Sequence, residues 1–410
     1  MTTASTTLDP ANLRPDDHYP IISADCHAGA SHAVYREYLE ERYHEDFDAW
    51  RGKYRNPYKD LRATDDRIRN WDNDKRNGDQ ERDHVVGEVI FPNTVPPFFP
   101  NFVLFAPQPT PETFEHRLAG IRAHNRWLVD WCNEFPERRA GIGQIFLNDV
   151  DEAIKDVKWV KEHGLRGGIL LPTLAPDVTW LPPITDHAYD PLWEVCADLG
   201  VVVNTHSGTG SPNYGGRPGA ALMQMNEIPF YSQRPLVHLL LGGVFQRYPK
   251  LKYCLTELGG AWVVPMLAQL DLLIERVRSG SSGEMRYTAE DMPLTMTATE
   301  MFHQSCHLGA SMAGPADVAA RKELGLGAIM WGSDYPHDEG TYPYSIERIR
   351  YAFHDIDPQE TYAMLTGNAA DLYEFDVDKL VPLGNEVGPT VAEVQTPLDA
   401  EEEAKIPRRI

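Results

Sequence analysis

The sequence predicts a (β/α)8 TIM barrel with an insertion after its first strand and a C-terminal arm. Three observations carry this reading. Eight short β-rich runs are present, amphipathic helical stretches separate them, and no GxGxxG follows the first run. Strands separated by helices imply parallel pairing with right-handed crossovers. Eight of them favour a closed ring over an open doubly wound sheet.

The expected strands are IISADCH (21–27), VVGEVIFP (85–92), RAGIGQIFL (139–147), RGGILLP (166–172), VVVNTHS (201–207), LKYCLTELG (251–259), a weaker EMFHQSCH (300–307) and AIMWGSDYPH (328–337). Expected helices cover 111–135, 151–164, 189–200, 262–277 and 344–356, and Gly164, Gly200 and Gly325 fall where helices should stop. Residues 1–19 read as an N-terminal arm and 20–376 as the barrel. Within it, 45–84 is charge-dense from HEDFDAW to GDQERDH and reads as an inserted, partly helical lid or a solvated decoration. Residues 377–410 form an acidic, proline-containing tail ending in the run Glu401-Glu402-Glu403. It reads as an arm on the surface, an arm on a second subunit, or unfolded chain.

Composition removes several classes of partner. The 410 residues carry 38 Lys+Arg against 61 Asp+Glu, a formal charge of -23, and so acidic a field repels nucleic acid and anionic membranes. No run approaches the roughly 18–20 apolar residues of a membrane span. The opening MTTASTTLDPANLRPDDHYP has neither a basic nor an apolar signal region, so a cytoplasmic protein is expected. Cys26, Cys132, Cys196, Cys254 and Cys306 are odd in number and form no CxxC, which excludes a disulfide framework and a zinc knuckle. Cys26 reads as a small core side chain.

In a barrel of this kind chemistry gathers at the C-terminal ends of the strands. There the first run ends Asp25-Cys26-His27, the fifth Asn204-Thr205-His206, the sixth carries Glu257, and the eighth ends Ser333-Asp334-Tyr335-Pro336-His337. Residues two apart on a strand share a face about 6.6 Å apart, so Asp25 and His27 can converge on one ion. His206 and Asp334 arrive at the same rim from other strands. Two imidazoles and two carboxylates make a mixed N/O site suited to Zn, Mn or Fe(II). Taken singly, a strand-end His is more often merely hydrogen-bonded and an Asp an N-cap; the joint placement is what points to a metal.

The Asp-x-His of 25–27, NTHSG at 204–208, TELGG at 256–260, GSDYPH at 332–337 and GNAADLY at 367–373 resemble the amidohydrolase-related (amidohydrolase 2) family of the amidohydrolase superfamily. That family includes hydrolases and aromatic-acid decarboxylases such as the aminocarboxymuconate semialdehyde and γ-resorcylate decarboxylases. The likeness spans residues 20 to about 375. It implies a divalent-metal-dependent enzyme acting on a small organic, carboxylated molecule, with the ion on Asp25, His27, His206 and Asp334. Two positions depart from the family pattern. Asp25 stands where His or Glu is common, and Glu257 stands where the decarboxylases carry a sixth-strand His.

The resemblance also distributes roles. Asp334 would be ligand and base, His206 ligand and electrophilic stabiliser, and Glu257 or Asp334 the proton donor of a decarboxylase. His337 and Tyr335 would orient substrate or support the ligands. Glu257 with His303 or His307 would complete a second metal site, which leads to the alternative of a dinuclear iron or iron–manganese oxygenase. A catalytically silent subunit is a further alternative; retention of all four ligands weighs against it. Arg62, Arg67 and Arg69 are candidates for binding a substrate carboxylate. The expected partners are a small-molecule substrate and a second copy or paralogous subunit, with no nucleic acid and no membrane.

Overall fold

The computed structural model describes residues 8–55 and 65–406. Eight strands, β1 (Ile21–Ala28), β2 (Val85–Pro92), β3 (Arg139–Gln144), β4 (Gly168–Leu170), β5 (Val203–His206), β6 (Tyr253–Thr256), β7 (Cys306–Ser311) and β8 (Ile329–Gly332), lie side by side in sequence order. Every pair from β1·β2 to β7·β8 is parallel. The chain just beyond β8 closes the ring on β1: the Asp334 N–H donates to the Asp25 carbonyl (2.9 Å) and the His27 N–H to that of Tyr335 (2.7 Å). A (β/α)8 barrel follows from these pairings.

The inside of the ring is apolar at its N-terminal end, where Ile22, Ala24, Val89, Ile142, Val202 and Met330 pack together. Chain beyond the last strand plugs this end. Phe375 and Leu380 reach Gly87 and Ile22, and the Tyr373 hydroxyl donates to Asn204 Oδ1 at 2.8 Å. The C-terminal segment continues as helices Val377–Val387, Val391–Val394 and Ala400–Glu403. Leu380, Val381, Val391 and Val394 are buried, and the Val391 N–H donates to the Asp17 carbonyl, which ties this segment to residues before β1.

Between β1 and β2 lie α1 (His32–Tyr38), α2 (His44–Lys53) and α3 (Asn73–Arg82). The sequence of α3, NDKRNGDQER, is polar throughout, yet it buries Arg76, Asp79 and Gln80. Each of these has a partner. Arg76 forks onto Glu88 of β2 through Nε (2.9 Å) and Nη2 (2.7 Å), and its Nη1 donates to the His27 carbonyl at 2.8 Å. Asp79 accepts from the Tyr335 hydroxyl at 2.9 Å. After β2 come α4 (Phe114–Asn133), α5 (Val150–Glu162), α6 (Asp190–Leu199) and α7 (Ala220–Leu241), followed by helices Val263–Arg278, Ala298–Ser305 and Ser345–Phe353 among others.

Two expectations are corrected. The seventh strand runs from Cys306 to Ser311 rather than over 300–307, because Thr297 and Glu300 form a reciprocal capping box that starts a helix at Ala298. The long helix α7 was not foreseen; it carries Pro229 and Pro235 in its interior, which ordinarily argue against a helix. All five cysteines are buried and free. Among the described residues no helix is long and apolar enough to cross a membrane.

The Arg76–Glu88 pair gives the first testable expectation. Breaking a buried ion pair by removing one partner leaves an uncompensated charge, at a cost of about 3–5 kcal/mol. Arg76→Met should lose stability on that scale in a urea titration. A midpoint equal to wild type would show that α3 is not fastened through this pair.

Candidate metal centre

A β-bulge in β1 starts the site. Ser23 pairs with Glu88 and Cys26 with Ile90, so β1 spends one residue more than β2 over this stretch. Ile22, before the bulge, and Ala24, within it, face the ring interior; Asp25, also in the bulge, and His27 take the inner face, while Cys26 packs in the outer core. Re-aiming side chains is a common use of a bulge beside a functional site. The ring closure then sets Asp334 against Asp25 through their backbones. Gly332 leaves room for this approach, since a Cβ there would meet the Asp25 Cβ at 2.7 Å.

Four of the expected residues converge. His27 Nε2 lies 3.3 Å from Asp25 Oδ1 and 3.2 Å from Asp334 Oδ1, and His206 Nε2 lies 3.2 Å from Asp25 Oδ1. All four side chains are buried. Neither His27 nitrogen, nor Asp334 Oδ2, has a hydrogen-bond partner among the described residues. Buried polar groups without partners are costly, so the carboxylates and the facing imidazole lone pairs fit a divalent cation held by Asp25, His27, His206 and Asp334. His206 is oriented for this: its Nδ1 donates to the Ser207 carbonyl at 2.9 Å, leaving Nε2 to face the cluster. Phe91 packs on the His206 ring at 4.5 Å and keeps that side dry.

Glu257 and Asp334 both adopt left-handed backbone, φ 69° and 61°. Such strain in non-glycine residues costs about 1–3 kcal/mol and collects at functional sites. Glu257 lies with Oε2 3.4 Å from His206 Nδ1, mostly buried. His337 donates from Nδ1 to Asp334 Oδ1 (2.8 Å) and from Nε2 to Asn93 Oδ1 (3.0 Å), with its ring 4.1 Å from that of His27.

Other expected residues lie elsewhere. His303 is on the outer helix Ala298–Ser305 and bonds the Glu323 carbonyl, while His307 bonds that of Gly327. His307 is the second residue of β7, four residues before Ser311, so at about 3.3 Å per residue it sits roughly 13 Å from the site end of that strand. Neither can complete a second metal site. Tyr335 is buried with its hydroxyl on Asp79, away from the cluster, so it does not touch substrate; its carbonyl fastens His27. Arg62 falls outside the described residues. Sequence reading missed Ser311, whose hydroxyl donates to Asp25 Oδ2, and Asn93, which holds His337. Ser311 was hidden by the misplaced seventh strand; Asn93, directly after VVGEVIFP, carried a strand-end signal that went unread.

The electrostatics follow from burial and mutual contact. Burial raises the Asp25 and Asp334 carboxyls, but neighbouring imidazoles (His206 and His27 for Asp25, His337 and His27 for Asp334) hold both below the usual range. Burial disfavours the His206 imidazolium, yet Asp25 and Glu257 outweigh this and raise its pKa to about 9; Asp334 likewise brings His337 to about 10. Burial, then repulsion from Asp334, pushes Glu257 up to about 8.

A cavity of about 1070 Å³ opens beside His337 and Asn93, walled by Phe47, Trp71, Phe102 and Phe105 and edged by Arg51, Arg67 and Arg69. It is far larger than a single ring requires. Asp338 and Glu339 share the lining with these arginines, and Arg69 pairs with Asp79 at 3.5 Å.

A metal–proton exchange follows. A ligating imidazole must be deprotonated, so without an ion His206 is protonated below about 9. Metal affinity should rise with pH up to about 9 and fall on acidification, with protons released on binding at pH 7. Elemental analysis should find a divalent metal in wild type and none in His27→Ala/His206→Ala. Equal metal in both, or binding that releases no proton at pH 7, would contradict the ligand set.

Comparison with known proteins bears on this geometry. The Amidohydrolase family profile matches residues 24–375. No curated protein sequence matches. Among solved structures, an amidohydrolase from Mycobacterium avium subsp. paratuberculosis is 17% identical, with 87% of this chain and 99% of that one aligned at a TM-score of 0.65. The 5-carboxyvanillate decarboxylase of Novosphingobium aromaticivorans, complexed with manganese and 4-hydroxy-3-methoxy-5-nitrobenzoic acid, is 19% identical over 90% of this chain and 100% of that one, TM-score 0.65. A dihydroxybenzoic acid decarboxylase from a Polaromonas species, with bound manganese and 2-nitroresorcinol, is 17% identical over 87% and 98%, TM-score 0.61. At these identities the structures establish the shared barrel. The profile covers most of the chain, which therefore belongs to the Amidohydrolase family, a family of enzymes.

Proposed function

We propose that the protein is a divalent-metal-dependent enzyme that decarboxylates a small carboxylated organic molecule without an oxidant. Support comes from the buried Asp25, His27, His206 and Asp334 cluster, from the manganese in similarly folded decarboxylases, and from the arginine-edged cavity beside it. The observation that carries the choice over hydrolysis is Glu257. Hydrolysis needs a base, whereas decarboxylation needs an acid to protonate the carbon that loses CO2. Burial and the neighbouring Asp334 favour the protonated form of Glu257, and its carboxyl lies beside the cluster, 3.4 Å from His206 Nδ1.

Asp25, His27, His206 and Asp334 would hold the ion, whose chemistry is Lewis-acid polarisation of substrate oxygens. Arg67 lines the cavity with no carboxylate partner among the described residues and is placed to hold the substrate's acid group. Phe102 and Phe105 offer apolar walls that exclude water from an aromatic or unsaturated body. Glu257 delivers its proton to carbon as the carbon–carboxylate bond breaks, and the ionised Glu257 takes a proton back from solvent. His337, fixed between Asp334 and Asn93, holds Asp334 in orientation.

One observation favours a second reading. Two overlapping ligand groups, Asp25–His27–His206 and His27–Asp334–His337, share His27. Two ions would suit a dinuclear oxygenase with Glu257 alongside, His27 serving only one of them because a neutral imidazole offers a single lone pair.

Glu257 separates the readings. Glu257→Gln should lower kcat by about 10²–10⁴-fold and leave metal content near one per chain. Wild-type kcat should fall as pH rises through the Glu257 pKa, since the acid form is the active one. Native turnover in Glu257→Gln, or two metals per chain with turnover that requires dioxygen, would overturn the decarboxylase.

A further inference from the structure

A second, much smaller cavity of about 40 Å³ lies over the ends of β3 and β4, apart from the metal cluster. Its walls include Arg117 of α4, Gln144 at the end of β3, Gln108, Thr173 and the aromatic rings of Phe99 and Phe146. Arg117 and Gln144 are only 5% and 2% exposed. Arg117 Nη1 donates to the Pro107 carbonyl at 2.5 Å, and its guanidinium stacks 4.1 Å over Phe99. Arg117 Nε and both amide atoms of Gln144 have no hydrogen-bond partner among the described residues. Among the described residues no carboxylate pairs with Arg117; burial alone pulls its pKa down to about 10. Gln144 is held rigidly, because Asn125 bonds both its backbone N–H (2.8 Å) and its carbonyl (2.9 Å).

A buried cation with no counter-charge, next to an unused amide, calls for an anion. We propose that Arg117 and Gln144 form a binding site for one carboxylate-sized oxyanion, separate from the metal centre. The volume suits it. A water needs about 10–15 Å³ by this measure, so the cavity takes a group of roughly three heavy atoms and no ring. The Arg117 Nε–H and the Gln144 amide donate to two oxygens of one planar anion, the geometry that charge-assisted bidentate bonding favours. Gln108 Oε1 also lacks a partner among the described residues, and rotation of that amide by 180° would present its N–H₂ instead. Leu104 lines both this cavity and the large one. The anion is therefore either a free one from solution or the end group of a molecule that reaches past Leu104.

Formate and nitrate are the probes, titrated into the full-length protein at constant ionic strength and read by calorimetry and by melting temperature. The readout needs no turnover, so it stands apart from the decarboxylase proposal. Wild type should bind formate saturably and melt higher, and Arg117→Met and Gln144→Met should each weaken binding by about tenfold or more. If Arg117→Met does not fold, Gln144→Met decides. Repeating the titration with 4-hydroxy-3-methoxybenzoate, at a concentration that calorimetry first shows to saturate the protein, distinguishes the sources: lost formate binding indicates a substrate end group, unchanged binding a free anion, and both support the site. No saturable binding in wild type, as for a cavity holding water only, or equal affinity in the folded variants, would overturn it.

Discussion

The site depends on how the barrel is closed. The hydrogen bond from the Asp334 N–H to the Asp25 carbonyl, with that from the His27 N–H to the Tyr335 carbonyl, joins the first strand to the chain beyond the last. Residues more than 300 positions apart thereby become neighbours, and the same seam carries three of the four candidate ligands. Closure and chemistry are one feature here. A barrel that failed to close between β1 and β8 would not bring Asp25, His27 and Asp334 together. The surroundings reinforce this. Gly332 lets the strands approach, Ser23 and Ser333 hydroxyls meet across the seam at 3.0 Å, and Arg76 ties the His27 carbonyl to Glu88.

Burial makes the cluster demanding. Asp25 and Asp334 are fully buried carboxylates, and in the metal-free chain their counter-charge comes from imidazoles driven toward protonation. An ion would replace those protons and use lone pairs that now lack partners. The left-handed backbone of Glu257 and Asp334 is a further local cost at this rim. A site that gathers buried charge, unpartnered nitrogens and backbone strain is arranged for a ligand rather than for stability. Arg51 and Arg67 at the edge of the large cavity offer positive points there, beside the lining carboxylates Asp338 and Glu339.

Much of this was legible in the sequence, for physical reasons. Parallel strands buried on both faces are written as continuous apolar runs, and VVGEVIFP at 85–92 matches β2 residue for residue. Polar residues at the ends of such runs stand out, which is how Asp25, His27, His206 and Asp334 were found together. What failed was local or tertiary. The capping box at Thr297 turned an expected strand into a helix, moved β7 by several residues and concealed Ser311 while promoting His303 and His307. The bulge that turns Asp25 and His27 inward is a pairing property between β1 and β2 and leaves no mark in either strand alone. The anion cavity of Arg117 and Gln144 is assembled from a loop, a helix and a strand end, so nothing in spacing announces it.

The central claim is that the barrel seam holds the metal. Crystals grown with manganese and measured at the manganese absorption edge test it directly. The account predicts an anomalous peak enclosed by His27, His206 and the Asp25 and Asp334 carboxylates. A peak elsewhere in the molecule, or none there in protein that turns over, would contradict it.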